Sequence, residues 1–141
     1  MKQYEYFPHT ADMRFRAYGK TLEEAFANAA LAMFNIMLET KTVKPVLERK
    51  ISVCAKDKES LLFDFLGKFL FLLDSENFAL NKVESITIEK KEDAYFLESV
   101  ILGDELSEKY ETKTQVKAIT YNEMQIQQEK GIWTVNAVVD V

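Results

Sequence analysis

The sequence predicts an α+β fold in which two helices pack on a largely antiparallel sheet, within a single domain spanning residues 1–141. Two observations carry this prediction. Two segments place apolar residues at spacings of three and four behind a capping residue, the pattern of helices with a buried face. The other segments read as strands, and the order β-β-α-β-α-β-β-β-β lacks the strict alternation of a doubly wound parallel sheet.

Tyr4 to Phe7 is a short strand stopped by Pro8. Residues 13–18 alternate, with Met13, Phe15 and Ala17 on one face and Arg14, Arg16 and Tyr18 on the other. Gly19-Lys20 makes the turn, and Thr21-Leu22-Glu23-Glu24 is a capping box that opens a helix running to about Leu38. Leu22, Ala25, Phe26, Ala29, Met33, Ile36 and Met37 form its apolar stripe. Val46 to Ala55 is a strand whose apolar face is interrupted by Arg49, and Cys54 in this strand reads as an inert small residue. Asp57 is the N-cap of a second helix that carries apolar residues nearly all round from Leu61 to Leu73. Such a helix is either central or offers a second face to a partner. Further strands are expected at about Asn81–Lys90, Tyr95–Leu102, Lys113–Gln127 and Ile132–Val139. Turns fall at Glu89–Asp93 and Gln128–Gly131, with a polar connection over Gly103–Tyr110.

Composition narrows the function. One Cys rules out an internal disulfide framework, and one His with one Cys is too few for a Cys/His zinc site. The four glycines, at 19, 67, 103 and 131, never cluster into a phosphate-cradling loop. A net charge of −5, from 18 basic and 23 acidic residues, argues against direct nucleic-acid binding. The N-terminus has no apolar signal core, and the apolar run Leu61–Leu73 is short for a membrane span and contains Asp64 and Lys68. A cytoplasmic location with no membrane partner is the expectation.

The residues with chemical potential are few. Pro8-His9-Thr10-Ala11-Asp12 is a polar segment between two strands. Lys117 lies in an expected strand, on the face of Ile119 and Tyr121. The last strand puts Trp133, Val135, Ala137 and Val139 on one face and Thr134, Asn136, Val138 and Asp140 on the other. Asp140 is followed by Val141 and its α-carboxylate. If the His9–Asp12 loop lies beside this end, three anionic groups converge into an oxygen-donor set suited to calcium, magnesium or manganese, and a nearby Lys117 would neutralise part of it. Taken singly, each residue has a plainer reading: Asp12 as a turn residue, Asp140 and Lys117 as solvated charges, His9 as a hydrogen-bonded turn residue. No Ser or Cys partner for His9 can be placed, which argues against a hydrolase triad.

Four stretches, in order and spread over the whole chain, resemble the archease family. They are His9-Thr10-Ala11-Asp12 with Arg16 to Phe26, then Leu61-Leu62-Phe63-Asp64-Phe65-Leu66, then Lys113 to Tyr121, and Val138-Val139-Asp140-Val141 at the end. The resemblance implies an α+β fold and a non-enzymatic cofactor protein for an RtcB-type RNA-splicing ligase, promoting its guanylylation and multiple turnover. It implies a divalent-cation site, calcium foremost, made by Asp12, Asp140 and the terminal carboxylate of Val141. It also implies a functional lysine at Lys117; His9, Thr10 and Tyr121 are candidate supporting residues. A chaperone-like interaction module and a stand-alone metal-dependent phosphoesterase are the alternatives. Arg14, Tyr110 and Asn122 depart from the family pattern, where Gly or His is common.

Overall fold

The computed structural model describes residues 1–8 and 11–141. Strand β1 (Tyr4–Pro8) pairs with β2 (Asp12–Gly19), which leads into helix α1 (Leu22–Met37). A 3₁₀ turn at Thr40–Thr42 precedes strand β3 (Leu47–Ala55) and helix α2 (Lys58–Glu76). Strands β4 (Phe78–Lys91), β5 (Ala94–Glu105), β6 (Ala118–Glu129) and β7 (Ile132–Asp140) complete the chain.

Both helices start as their caps require. The Thr21 hydroxyl accepts from the Glu24 N–H at 3.0 Å, and the Glu24 carboxylate reaches back to the Lys20 N–H at 2.8 Å. Asp57 accepts from the Ser60 N–H at 2.7 Å. The bonds from the Glu24 and Ser60 N–H groups satisfy backbone donors that the first helical turn leaves without an intrahelical partner. Helix α2 ends on Asn77, in the left-handed region at φ 54°.

The strands form two antiparallel sheets rather than one. The first has four strands in the order β1-β2-β7-β6, the second three in the order β3-β5-β4. Period-two alternation reveals which residues share a face but not which strands pair, and the partition depends on contacts distant in sequence. Both helices pack against strands of both sheets, so each sheet turns one face to the helices. Phe15, Ala17, Val135, Ala137 and Val139 supply the inward face of the four-stranded sheet. They meet Phe26, Met33 and Phe34 of α1 and Leu62, Phe65 and Phe69 of α2 in one core. Burying each large apolar side chain is worth about 1.5–3 kcal/mol.

Two glycines fix close approaches. A Cβ at Gly19 would lie 2.3 Å from the Ala25 nitrogen, so β2 can enter α1 at this angle only without a side chain. A Cβ at Gly103 would lie 1.9 Å from the Ala79 carbonyl oxygen, where β5 and β4 cross closely. The polar connection expected from Gly103 therefore starts later, since β5 continues to Glu105.

The stretch expected to form a strand from Lys113 begins its strand only at Ala118. The Lys113 N–H donates to Met37 O at 2.7 Å, and the Thr114 N–H to Ile36 O at 3.2 Å. These two carbonyls belong to the last turn of α1, which lacks intrahelical donors for them. The segment serves as a clasp on the helix end instead of joining the sheet. Cys54, in the three-stranded sheet, is exposed.

Candidate functional site

The outer face of the four-stranded sheet gathers the chemistry-bearing residues. Their positions follow from register. Asp12, first residue of β2, lies directly opposite Asp140, last residue of β7. Asp140 in turn lies opposite Ala118, first residue of β6. Directly opposed residues on antiparallel strands have their Cα atoms about 4.5–5.5 Å apart and their side chains on one face. Residues 12 and 140, at the two ends of the chain, thus become neighbours. The Lys117 N–H donates to the Asp140 carbonyl at 2.8 Å, so a third distant segment is pinned to the same strand end.

Lys117 and Tyr121 are placed differently from the sequence expectation. Lys117 stands just before β6, not inside a strand in phase with Ile119 and Tyr121. Its side chain is exposed, and its ammonium makes no ion pair among the described residues. Tyr121 is engaged with α2: its ring stacks on Phe63, with centroids 4.1 Å apart and planes 2° from parallel. His9 and Thr10 lie outside the described residues. Asp140 is exposed, whereas Asp12 is partly buried, with its Oδ1 shut off from solvent and without a hydrogen-bond partner among the described residues. Val141 packs its side chain against the core beside this end.

Sequence reading set Arg14 and Arg16 aside as the outward face of a strand. The structure places them next to Asp12 on the same face of β2, opposite Val138 and Asn136 of β7. On the other side they face Phe7 and Glu5 of β1. Both guanidinium groups lie over the Phe7 ring, at 4.8 Å and 5.1 Å from its centroid. Arg14 pairs with Glu123 at 3.3 Å, and Arg16 donates through Nε to Asn136 Oδ1 at 2.9 Å. Farther along β2, the Tyr18 hydroxyl donates to Glu5 and holds that carboxyl below the ordinary range.

Glu123 reaches Arg14 because β6 leaves the ladder between Thr120 and Gln125, while β7 advances only from Val138 to Asn136. Glu123 itself is left-handed at φ 54°. A sequence signal existed for this excursion. The apolar residues Ile119 and Tyr121 occupy odd positions, whereas Met124 and Ile126 occupy even ones. A change of phase within one strand marks extra residues on that strand.

Asp12 and Asp140 are the carboxylates at this strand end that could hold a hard divalent cation, whose ligands are oxygens. Among the described residues no three His, Cys, Asp or Glu side chains converge as a cation cage.

Fold and site define a class: a small α+β domain with two sheets around two helices and an outer sheet face on which like charges are set side by side. A model of the Archease protein family matches residues 4–141, and the chain belongs to that family. It is 38% identical over 141 residues to the protein archease of Methanosarcina mazei, covering 99% of this chain and 97% of the relative. It is 41% identical over 143 residues to the protein archease of Thermococcus kodakarensis, with both chains covered in full. The solution structure of protein 1598 of Methanobacterium thermoautotrophicum superposes with a TM-score of 0.88 at 38% identity, over the whole of both chains. A crystal structure of a Thermotoga maritima protein, described as an archease and possible chaperone, shares the fold with a TM-score of 0.58 at 20% identity, over 96% of this chain and 94% of that one. No helix among the described residues is long and apolar enough to cross a membrane.

Proposed function

We propose that this protein is a non-enzymatic activator of an RtcB-type RNA ligase, promoting guanylylation and turnover in tRNA splicing or RNA repair. In this reading Asp12, Asp140 and the terminal carboxylate of Val141 hold a divalent cation, and Lys117 acts beside them. Family membership supports the class of activity. The observation that carries the site is the pairing of Asp12 with Asp140 across β2 and β7, with one Asp12 oxygen buried and unpartnered among the described residues. Two carboxylates set opposite one another repel, and a buried acceptor without a partner costs about 1–3 kcal/mol. A cation offsets both.

When bound, such an ion supplies positive charge against phosphate oxygens. The chain's own part is positional. The bond from the Lys117 N–H to the Asp140 carbonyl fixes the lysine backbone at the strand end. The exposed ammonium is then free to reach an acidic group of the partner. The net charge of −5 suits approach to a basic, RNA-binding cleft, and the association rate should fall as salt rises.

The chaperone-like alternative needs an exposed apolar helix. Leu61, Leu62, Phe65, Leu66 and Phe69 of α2 are buried in the core, while Phe71 is 61% exposed and Phe63, Leu70, Leu72 and Leu73 are partly buried, so part of the helix stays open to such a role. One assay tests the favoured reading: the ligase of the source organism with GTP, divalent metal, cleaved RNA and substoichiometric amounts of this protein. Increased turnover that is lost in Asp140→Ala and Lys117→Ala supports it. Turnover unaffected by the wild-type protein defeats it.

A further inference from the structure

We propose that Arg14 and Arg16 form a binding site for a small phosphate or phosphate ester on the outer face of the four-stranded sheet. Together with Glu123, Met124, Gln125 and Asn136 they line a groove of about 370 Å³. This is within the range of small-molecule sites. The site is separate in chemistry from the carboxylate pair and does not rest on the ligase reading.

The case rests on two guanidinium groups held side by side in one groove and only partly engaged by their neighbours. Arg14 and Arg16 project from one face of β2, and both guanidinium groups lie over the single Phe7 ring. Arg16 meets a neutral acceptor, Asn136 Oδ1, through its Nε. Glu5, opposite Arg16, is already engaged by the Tyr18 hydroxyl and by Lys2 at 3.7 Å. Arg14 pairs with Glu123, on a side chain 53% exposed, and the Arg16 charge also acts on Glu5, helping to hold that carboxyl lowered. The Arg14 Nε is shut off from solvent and has no acceptor among the described residues. In this rotamer the Arg14 donor set is therefore under-used.

An oxyanion in the groove supplies what is missing. Guanidinium groups match phosphate bidentately through adjacent N–H donors. A dianionic phosphoryl group has three acceptor oxygens for two such forks, where a carboxylate has two oxygens and a single charge. Asn136, with its oxygen facing Arg16, still has its amide N–H donors. The surrounding protein carries a net charge of −5, which repels a long nucleic-acid strand but not a small ligand held by local contacts.

The test is calorimetric titration of the full chain with inorganic phosphate, at an ionic strength held constant with chloride. Saturable binding of one phosphate per chain is expected. Arg14→Gln and Arg16→Gln should each weaken it about tenfold or more, the loss of a charged hydrogen bond. Arg16→Lys keeps the charge without the fork and should still bind more weakly than wild type. Glu123→Gln removes the competing carboxylate and should tighten binding, an effect that a purely structural role for these arginines would not produce. Amide spectra of each variant verify folding. Absence of saturable binding, or equal affinity in wild type and the arginine variants, overturns the proposal. A parallel titration with a nucleoside 5′-monophosphate separates the sources: tighter binding assigns an ester as occupant, equal binding the phosphoryl group alone.

Discussion

The two sheets of this protein treat charge on their outer faces in opposite ways. In the three-stranded sheet, Ser52, Glu98 and Thr87 lie in one cross-strand row, and Lys50, Val100 and Ser85 in the next. Cys54, Phe96 and Glu89 form another row, and Glu48, Leu102 and Lys82 a fourth. No like charges meet across this ladder. In the four-stranded sheet Asp12 faces Asp140, and two arginines follow one another on the same face. Opposed like charges weaken a sheet. The first surface avoids opposed like charges, and the second tolerates an opposed pair of carboxylates.

The largest effect should come from Gly103→Ala in the three-stranded sheet, where a Cβ would meet the Ala79 carbonyl oxygen at 1.9 Å. A loss of about 3 kcal/mol or more in denaturant unfolding is expected. A near-neutral result would mean that β4 and β5 can separate locally. Next in size is the response to divalent cation. At a concentration one hundred times its dissociation constant, an ion binding only the folded state stabilises it by about 2.7 kcal/mol. Wild type should show that gain in thermal unfolding, and Asp140→Ala should not.

A smaller effect carries the opposite sign. Without divalent cation, Asp140→Asn removes the repulsion with Asp12 and should stabilise the fold by about 0.2–1 kcal/mol. A destabilised variant would show that the pair is not repulsive. The comparison should also survive acid elsewhere in the fold. Asp104 accepts from the Tyr110 hydroxyl at 2.5 Å and pairs with Lys109 at 3.1 Å, and these contacts lower its pKa, the Tyr110 bond most. A carboxyl lowered in the folded state contributes stability that is present above its unfolded value, near 3.9, and is lost as pH falls through the folded value. Tyr110→Phe should therefore give a shallower loss of stability below about pH 4 than wild type. Equal slopes would remove Asp104 from the acid response.

Much of this fold was legible in the sequence because the relevant forces are local. The Thr21 and Asp57 caps act on backbone donors within three residues, and the stripe of α1 follows from helical spacing. Division into two sheets was not legible, since strand partners are chosen by contacts between distant segments. Lys113 to Lys117 has the composition of a strand, yet the open carbonyls of α1 claim its first residues. At the candidate site, the residue types at 12, 117 and 140 were visible in the sequence, but their adjacency depends on register. The arginine groove was invisible for a related reason. It needs Phe7 from β1, Asn136 from β7 and the β6 excursion at once, and no window of sequence contains all three.

That excursion has a second consequence. Strand β6 is an outer strand of its sheet, and an uninterrupted outer strand of twelve residues is a template on which another chain can add. By leaving the ladder after Thr120 and resuming it at Gln125, β6 breaks its regular edge into two short pieces, with the side chains of Asn122 and Glu123 exposed between them. The opposite edge, β1, is only five residues long and closes on a proline. The same irregularity that walls the groove also guards the sheet against edge-to-edge aggregation.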